Sequence, residues 1–287
     1  MRPTIPVFYR PEMSAPPTDS FAPGAHKPKL VVDDWLQDAT LPITLRSFEP
    51  VTRDQLCLAH DPAYVEGVLA CEIPNGFSNT DPNVAAALPY TNGAMLAAAE
   101  EAITNRGVAC APVSGFHHAH FAAPRGYCTF NGLMITALAL QQSGRAQDVG
   151  ILDLDQHYGD GTDDIIKRTQ ATHMVHYTAG DTYREAGEAE AFLRELPAIV
   201  RRFEHCAVLL YQAGADPHVR DPLGGWMSTE QLAQRDRIVF EEAKAMGVPI
   251  AWDLAGGYQR DKAGTIAPVL AIHRNTMREC VRVYAAP

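Results

Sequence analysis

The sequence predicts an α/β fold, an open and mostly parallel sheet flanked by helices on both faces. From about residue 108 onward, short apolar runs alternate with longer segments of helical periodicity. The runs are apolar throughout rather than every second residue, which is typical of strands covered on both faces. Four of them end in polar, glycine-rich segments, and active sites of parallel sheets lie beyond the carboxyl ends of the strands.

The elements follow in order along the chain. Residues 1–50 are rich in proline and are expected to form an arm with loops, and the whole chain, 1–287, is expected to be one domain. Residues 52–69 predict two short helices separated at Asp61-Pro62, and a loop then leads to a helix over 91–105. The predicted strands cover 108–112, 149–155, 173–177, 207–212 and 249–254, and the remaining predicted helices cover 131–142, 162–168, 189–203, 229–246 and 265–284.

Composition and charge exclude several classes of protein. The formal net charge of −10 argues against a nucleic-acid binder, which needs a basic surface. No apolar run approaches the ~18 residues of a membrane span, and the N-terminus has no apolar stretch typical of a signal peptide. The six cysteines form no CxxC pair, which favours a reducing compartment. We therefore expect a soluble cytoplasmic protein, and a homo-oligomer is compatible with the sequence because interfaces leave no motif.

One polar segment, DLDQHYGDGT, has the character of a metal site. Asp153, Asp155 and His157 alternate, so on an extended backbone their side chains share one face. Asp216 in AGADPH could supply a further ligand, and three protein ligands leave a position open for water, as catalytic zinc requires. The alternative is that these aspartates only cap a helix or form a turn.

The adjacent histidines of SGFHHAH suit acid–base chemistry at the end of a strand. Each imidazole would need a carboxylate to fix its tautomer and tune its pKa. Asp153 and Asp160 are available, and our hypothesis pairs His117 with Asp153 and His118 with Asp160.

Tyr258 follows Gly256 and Gly257, and glycines allow a chain to approach a site closely. Its phenol could donate a hydrogen bond to a developing oxyanion. Without the other motifs, an ordinary loop tyrosine would be the simpler interpretation.

Together these segments resemble the histone deacetylase family of the arginase–deacetylase superfamily. The resemblance lies in GFHHAHFAAPRGYCTFN, DLDQHYGDGT, AGADPHVRDPLGG and LAGGYQ, which occur in the family's order between about residues 108 and 260. Residues 1–105 match only loosely. The resemblance implies the arginase–deacetylase fold, three Zn²⁺ ligands, an acid–base pair and a tyrosine that polarises the substrate carbonyl. The resemblance assigns the Zn²⁺ ligands to Asp155, His157 and Asp216. It assigns the acid–base pair to His117 and His118, and the tyrosine to Tyr258.

The resemblance also indicates how substrate is bound. Tyr127, beside Gly126, falls where the family usually has a phenylalanine lining the acyl-lysine tunnel. Tyr183 is expected near the pocket, with Arg184 and Glu185 placing charge at its mouth.

A structural K⁺ site of the family is in doubt, because Met174 stands where a serine usually contributes an oxygen. Main-chain oxygens near Asp153, Asp155 and His157 could still hold K⁺. In the loop over residues 73–82, Asn79 either contacts a cationic substrate together with Asp81 or only makes turns.

The expected function is that of a zinc-dependent amidohydrolase that removes an acetyl or other acyl group from acetyl-lysine, an acetylated polyamine or another small amide. An arginase-like ureohydrolase would need a D-x-H-x-D segment, and Gly159 stands where that pattern needs its last aspartate. The other alternative is a sensor of acylated ligands, which the intact set of motifs argues against. Which histidine acts as base and which as acid is left open.

Overall fold

The computed structural model describes residues 3–285, and over this range the chain forms seven strands and nine α-helices. The strands are β1 (Ile5–Phe8), β2 (Ile43–Arg46), β3 (Val108–Cys110), β4 (Val149–Asp153), β5 (Val175–Thr178), β6 (Val208–Gln212) and β7 (Ile250–Asp253). The helices are α1 (Lys27–Gln37), α2 (Arg53–Ala59), α3 (Pro62–Leu69), α4 (Pro82–Asn105), α5 (Gly132–Gln142), α6 (Asp160–Thr169), α7 (Ala189–Arg201), α8 (Thr229–Met246) and α9 (Ala267–Tyr284).

The strands form one parallel sheet in the order β2-β1-β3-β7-β6-β4-β5. The sheet has a hydrophobic core on each face, and successive residues of a strand point to opposite faces. In β6, Leu209 and Tyr211 pack with α1, α7, α8 and α9, whereas Val208 and Leu210 pack with α2 to α6. The predicted open parallel sheet with helices on both faces is confirmed. No helix among residues 3–285 is both long and apolar enough to cross a membrane.

The N-terminal fifty residues are more regular than an arm with loops, and that expectation is corrected. Strands β1 and β2 pair along their whole length, and Val7 of β1 is in register with Cys110 of β3. Helix α1 lies between them in sequence and buries Trp35 completely. Prolines lie within β1 and beside both strands and are typical of loops, so the sequence pattern alone did not indicate these strands.

Helix α4 also begins earlier than the predicted residue 91. The Asp81 carboxylate accepts a hydrogen bond from the Asn83 amide and caps a first turn that contains Pro82, a favourable position for proline. Pro89 lies inside the helix, and its carbonyl accepts a hydrogen bond from the Val51 amide. The two prolines had indicated a loop here, but one starts the helix and the other is tolerated within it.

The remaining predicted elements are present with ends shifted by a few residues. Asp61 caps α3 by accepting from the amides of Ala63 and Tyr64, which explains the predicted break between α2 and α3. Four neighbouring central strands, β3, β7, β6 and β4, precede the four polar segments. Since parallel strands end at the same edge, these segments meet there.

Candidate active site

The three predicted metal ligands meet at this edge. Asp155 and His157 follow β4, Asp216 follows β6, and one ligand atom from each lies within 4.8 Å of the others. His157 Nδ1 is 3.0 Å from Asp216 Oδ2 and 3.2 Å from Asp155 Oδ1. Both carboxylates are buried, whereas the imidazole is one-third exposed. The exposed part of the cluster is therefore the imidazole.

The electrostatics of this cluster suit a divalent cation. Burial and the neighbouring charge of Asp155 raise the pKa of Asp216, because two buried carboxylates repel each other. Hydrogen bonds to Asp155 and Asp216 raise the pKa of His157 to about 11. Two carboxylates and one imidazole are ordinary zinc ligands, and a dication relieves the repulsion between the carboxylates. The residues present thus fit a zinc ion.

Glycine is required beside the cluster. A Cβ at Gly256, where φ is +53°, would lie 2.4 Å from the Asp216 carboxyl carbon, and a Cβ at Gly214 would lie 2.6 Å from the Asp155 Cα. The loops of β6 and β7 can approach the ligands only because these side chains are missing.

His117 and Asp153 form the first of the two predicted pairs. His117 Nδ1 lies 2.7 Å from Asp153 Oδ2, and both side chains are almost fully buried. Burial lowers the pKa of His117, but the charges of Asp153 and Asp155 outweigh this and raise it to about 9. Gln212, which was not among the predicted site residues, donates to Asp153 Oδ1 at 2.9 Å and accepts from the Phe116 amide. An isolated glutamine at the end of an apolar strand was the signal available for it.

His118 and Asp160 form the second pair, with Nδ1 and Oδ1 separated by 2.6 Å. Burial and the charge of His117 lower the pKa of His118, so the two imidazoles are in different electrostatic environments. Arg125, also missed, donates to the other carboxylate oxygen of Asp160 at 2.6 Å. A Cβ at Gly126 would lie 2.4 Å from a ring carbon of His118, so the backbone of this loop packs directly on that imidazole.

The Tyr258 loop follows β7 and is fixed through its backbone. The Tyr258 amide donates to Asp221 Oδ2 at 2.8 Å, and the fully buried Lys27 ammonium donates to the carbonyls of Leu254 and Gly256 at 2.9 and 2.6 Å. Burial, with Asp216 as the next cause, raises the pKa of the Tyr258 phenol. The phenol therefore keeps its proton and can donate a hydrogen bond. The roles of Lys27 and Asp221 become visible only in the structure.

A small pocket joins these groups. Tyr258, His117 and Asp155 line it together with the predicted substrate-contacting residues Gly126 and Tyr127. The rest of the wall consists of Ala22, Pro23, Gly24, Ser114, Gly115, Cys128, Gly256 and Gly257. The N-terminal segment thus completes the site, which the loose match of residues 1–105 did not indicate.

The structure places Tyr183 away from this pocket. Its ring packs against Phe192 and Trp226 in the core, and its hydroxyl donates to Glu195 at 2.7 Å. The expectation that Tyr183 contacts substrate is therefore corrected. An aromatic residue near a pocket segment can serve either the wall or the core, and the sequence does not distinguish the two.

The charged residues expected at the mouth have local structural contacts. Arg184 donates to the Gly180 carbonyl, and Glu185 donates its amide to the Glu188 carboxylate. In the loop over residues 73–82, Asn79 accepts from the amide of Asp81, in keeping with the turn interpretation.

The pairing of β4 with β5 bears on the structural K⁺ site, in which Met174 stands where the family usually has a serine. Met174 precedes β5, and the residue in register with Asp153 is Thr178. Thr178 Oγ1 accepts from the Gly159 amide at 3.1 Å, so a hydroxyl oxygen lies beside the DLDQHYGDGT segment after all.

Comparison with known proteins agrees with this geometry. The model of the histone deacetylase domain matches residues 26–190 and 173–271. An uncharacterized protein of Picosynechococcus sp. is 28% identical over 94% of this chain and 97% of its own length. Histone deacetylase 10, chloroplastic, of Oryza sativa subsp. japonica is 24% identical over 75% of this chain and 59% of that protein.

Solved structures share the fold. The HDA15 HD domain superposes with a TM-score of 0.77 at 17% identity, covering 99% of this chain and 90% of the other. The acetylpolyamine aminohydrolase from Burkholderia pseudomallei superposes with a TM-score of 0.70 at 16% identity, covering 98% and 99%. The fold is therefore that of the arginase–deacetylase proteins, as the sequence predicted.

Proposed function

Because this chain belongs to the histone deacetylase family, we propose that it is a zinc-dependent hydrolase that removes an acyl group from an amine. The observation that carries the proposal is one small pocket lined by Asp155 of the metal-ligand cluster, by the carboxylate-paired His117 and by the protonated Tyr258. These are the groups that hydrolysis of an amide requires.

We assign the metal site to Asp155, His157 and Asp216. Bound zinc would supply Lewis acidity and would lower the pKa of a water molecule to near neutrality. Two buried carboxylates whose donor atoms converge with those of an imidazole support this assignment.

The protein side chains have separate roles in the proposed reaction. The Tyr258 phenol donates a hydrogen bond to the carbonyl oxygen of the substrate and stabilises the negative charge that develops on it. His117 and His118 supply the base that accepts a proton from the attacking water and the acid that protonates the leaving amine. Asp153 and Asp160 fix the tautomer and orientation of the two imidazoles through bonds of 2.7 and 2.6 Å.

The substrate is proposed to be an acylated amine with a slender, flexible chain. Tyr127 and Tyr258 stand 5.6 Å apart between ring centroids, and most of the remaining pocket wall is glycine and other small residues. Acetyl-lysine, an acetylated polyamine or another small amide has this shape, and the net charge of −10 favours a cationic molecule through long-range attraction.

We further propose that the protein binds a structural K⁺ ion beside the DLDQHYGDGT segment. A Cβ at Gly180 would lie 2.5 Å from the His157 carbonyl oxygen, so the segment after β5 packs closely on the ligand loop. The Thr178 hydroxyl next to this loop supplies an oxygen that Met174 does not. Cytoplasmic location, homo-oligomerisation and the absence of nucleic-acid and membrane partners stay predictions of the sequence.

The test is hydrolysis of a fluorogenic acetyl-lysine amide by protein stripped of metal and then given one equivalent of Zn²⁺. We expect activity to return with zinc and to be absent in the stripped protein. Acetylated polyamines and other small amides are assayed in parallel, since the pocket could exclude the fluorogenic probe. Zinc binding without hydrolysis of any of these amides would contradict the proposed activity, and failure to bind zinc would contradict the assigned metal site.

A further inference from the structure

The N-terminal segment that walls the pocket is also attached to the Tyr258 loop. The Arg260 guanidinium donates to the Phe21 carbonyl at 3.3 Å, and Lys27 holds two carbonyls of the same loop. Between these attachments the Phe21 ring lies against the Tyr258 ring. The proposed catalytic loop is thus held by residues more than 220 positions earlier in the chain.

The contact between the two rings is a stack. Their centroids are 5.8 Å apart and their planes differ by only 11°, a geometry that aromatic pairs favour. The other aromatic neighbour of Tyr258 is Tyr127, at 5.6 Å but inclined by 47°. Phe21 is therefore the aromatic neighbour whose ring plane matches that of the Tyr258 phenol.

The hydrogen bonds of the Tyr258 loop fix its backbone, whereas the orientation of the phenol ring depends on the side chains that contact it. Tyr258 follows Gly256 and Gly257, whose φ angles of +53° and +91° place the segment outside any helix or strand. Phe21 itself is 47% exposed, so its ring stacks on Tyr258 at the surface and does not fill the core. A ring kept at the surface and parallel to Tyr258 suggests a positional role.

Resting on the function proposed above, we infer that Phe21 is a positioning residue that holds the Tyr258 phenol toward the substrate carbonyl. It acts without touching the substrate, since the pocket is lined by the residues that follow it, Ala22, Pro23 and Gly24. The effect of Phe21 should therefore pass entirely through the Tyr258 hydroxyl.

Kinetics of Phe21→Ala give the first test. We expect kcat to fall about 10-fold or more, because a small displacement of a catalytic group lowers the rate of the chemical step. KM should stay near the wild-type value. Phe21→Tyr, which keeps the stack, should restore kcat. Leu36→Ala, which also removes an exposed apolar side chain, is the control and should be unaffected. A rise in KM at unchanged kcat would overturn the inference in favour of a direct substrate contact.

A double-mutant cycle gives the sharper test. In a Tyr258→Phe background no hydroxyl remains to be positioned, so adding Phe21→Ala should lower kcat no further. If Phe21→Ala lowers kcat by the same factor in both backgrounds, Phe21 does not act through that hydroxyl and the inference is wrong.

A spectroscopic readout separates this inference from the proposed function. In protein labelled with 3-fluorotyrosine, the ¹⁹F signal of Tyr258 is assigned by its loss in Tyr258→Phe. Phe21→Ala should shift this signal by removing the ring current, and Leu36→Ala should not. A shift in a protein that hydrolyses no amide would support the ring contact and reject the deacetylase activity. An unshifted signal in an active enzyme would reject the positioning role alone.

Discussion

At the scale of single residues, side chains of the same type in this site have pKa values that are shifted in opposite directions. Asp155 keeps a lowered pKa because His117 and His157 outweigh its burial, whereas the pKa of Asp216 is raised. His118 likewise has a lowered pKa while His117 has a raised one. Neighbouring groups of one type can thus take different tasks, and substitution should separate those tasks.

Tyr258→Phe should retain zinc and lower kcat by about 10²–10³-fold, since a single oxyanion donor is removed. The matched control is Tyr127→Phe, which deletes a hydroxyl from the same pocket and keeps the ring. It should lower kcat far less. Steady-state kinetics and metal content measured on both variants check this, and equal losses would contradict the special role of Tyr258.

Asp216→Ala should lose stoichiometric zinc, because it removes one of three ligand atoms that lie within 4.8 Å of one another. Metal content after dialysis against a weak chelator measures the effect. Asp54→Ala removes a carboxylate that is 94% exposed and should leave the content unchanged. Full zinc retention in Asp216→Ala would take this residue out of the ligand set.

At the scale of elements, the site depends on loops that pack backbone against the proposed catalytic side chains. The loop through Gly126 shows this most directly, because it lies on the His118 ring and also carries Arg125 to the Asp160 carboxylate. The position of His118 is thus set by a loop between β3 and α5 as well as by its carboxylate partner. A bulkier residue in that loop should move the imidazole.

Gly126→Ala should lower kcat by displacing His118 while leaving zinc binding intact. A Cβ there would lie 2.4 Å from the imidazole, and φ is +52°. Gly144→Ala is a matched control because φ is also positive, +70°, but no atom lies within 4 Å of the added Cβ. Both variants should lose about 1 kcal/mol of stability from backbone strain. If kcat falls equally in both, contact with His118 is not the cause.

At the scale of the whole molecule, the sequence predicted the site and the sheet from β3 to β5 better than the edge formed by β1 and β2. The segments after β3, β4, β6 and β7 combine apolar strands with polar ends, and both signals are local. Strands β1 and β2 gave no such signal, because the prolines around them indicated loops and the pairing that stabilises them joins distant residues. Lys27 and Phe21 join the site across more than 200 positions, and no local pattern encodes such contacts.

His60 connects distant parts of the molecule and should make its stability depend on pH. Its Nδ1 donates to the His120 carbonyl at 2.9 Å, and its Nε2 accepts from the Asn131 amide at 2.8 Å, so the neutral ring is fully bonded. Burial lowers its pKa from 6.5 to about 4. A second proton on the ring would be on Nε2, where it would face the Asn131 N–H group and not a hydrogen-bond acceptor.

The direction of this pH dependence follows from the linkage between proton binding and folding. Between pH 6.5 and 4 the unfolded chain binds a proton at His60 and the folded protein does not, so acid favours unfolding. The stabilisation is complete above about pH 6.5 and is lost as the pH falls toward 4, by up to about 3 kcal/mol at 1.4 kcal/mol per pH unit. His60→Gln keeps a donor and an acceptor but cannot titrate. Urea unfolding between pH 8 and 4 should therefore show wild type losing more stability than His60→Gln, and parallel pH profiles would mean that His60 binds a proton as readily in the folded protein as in the unfolded chain.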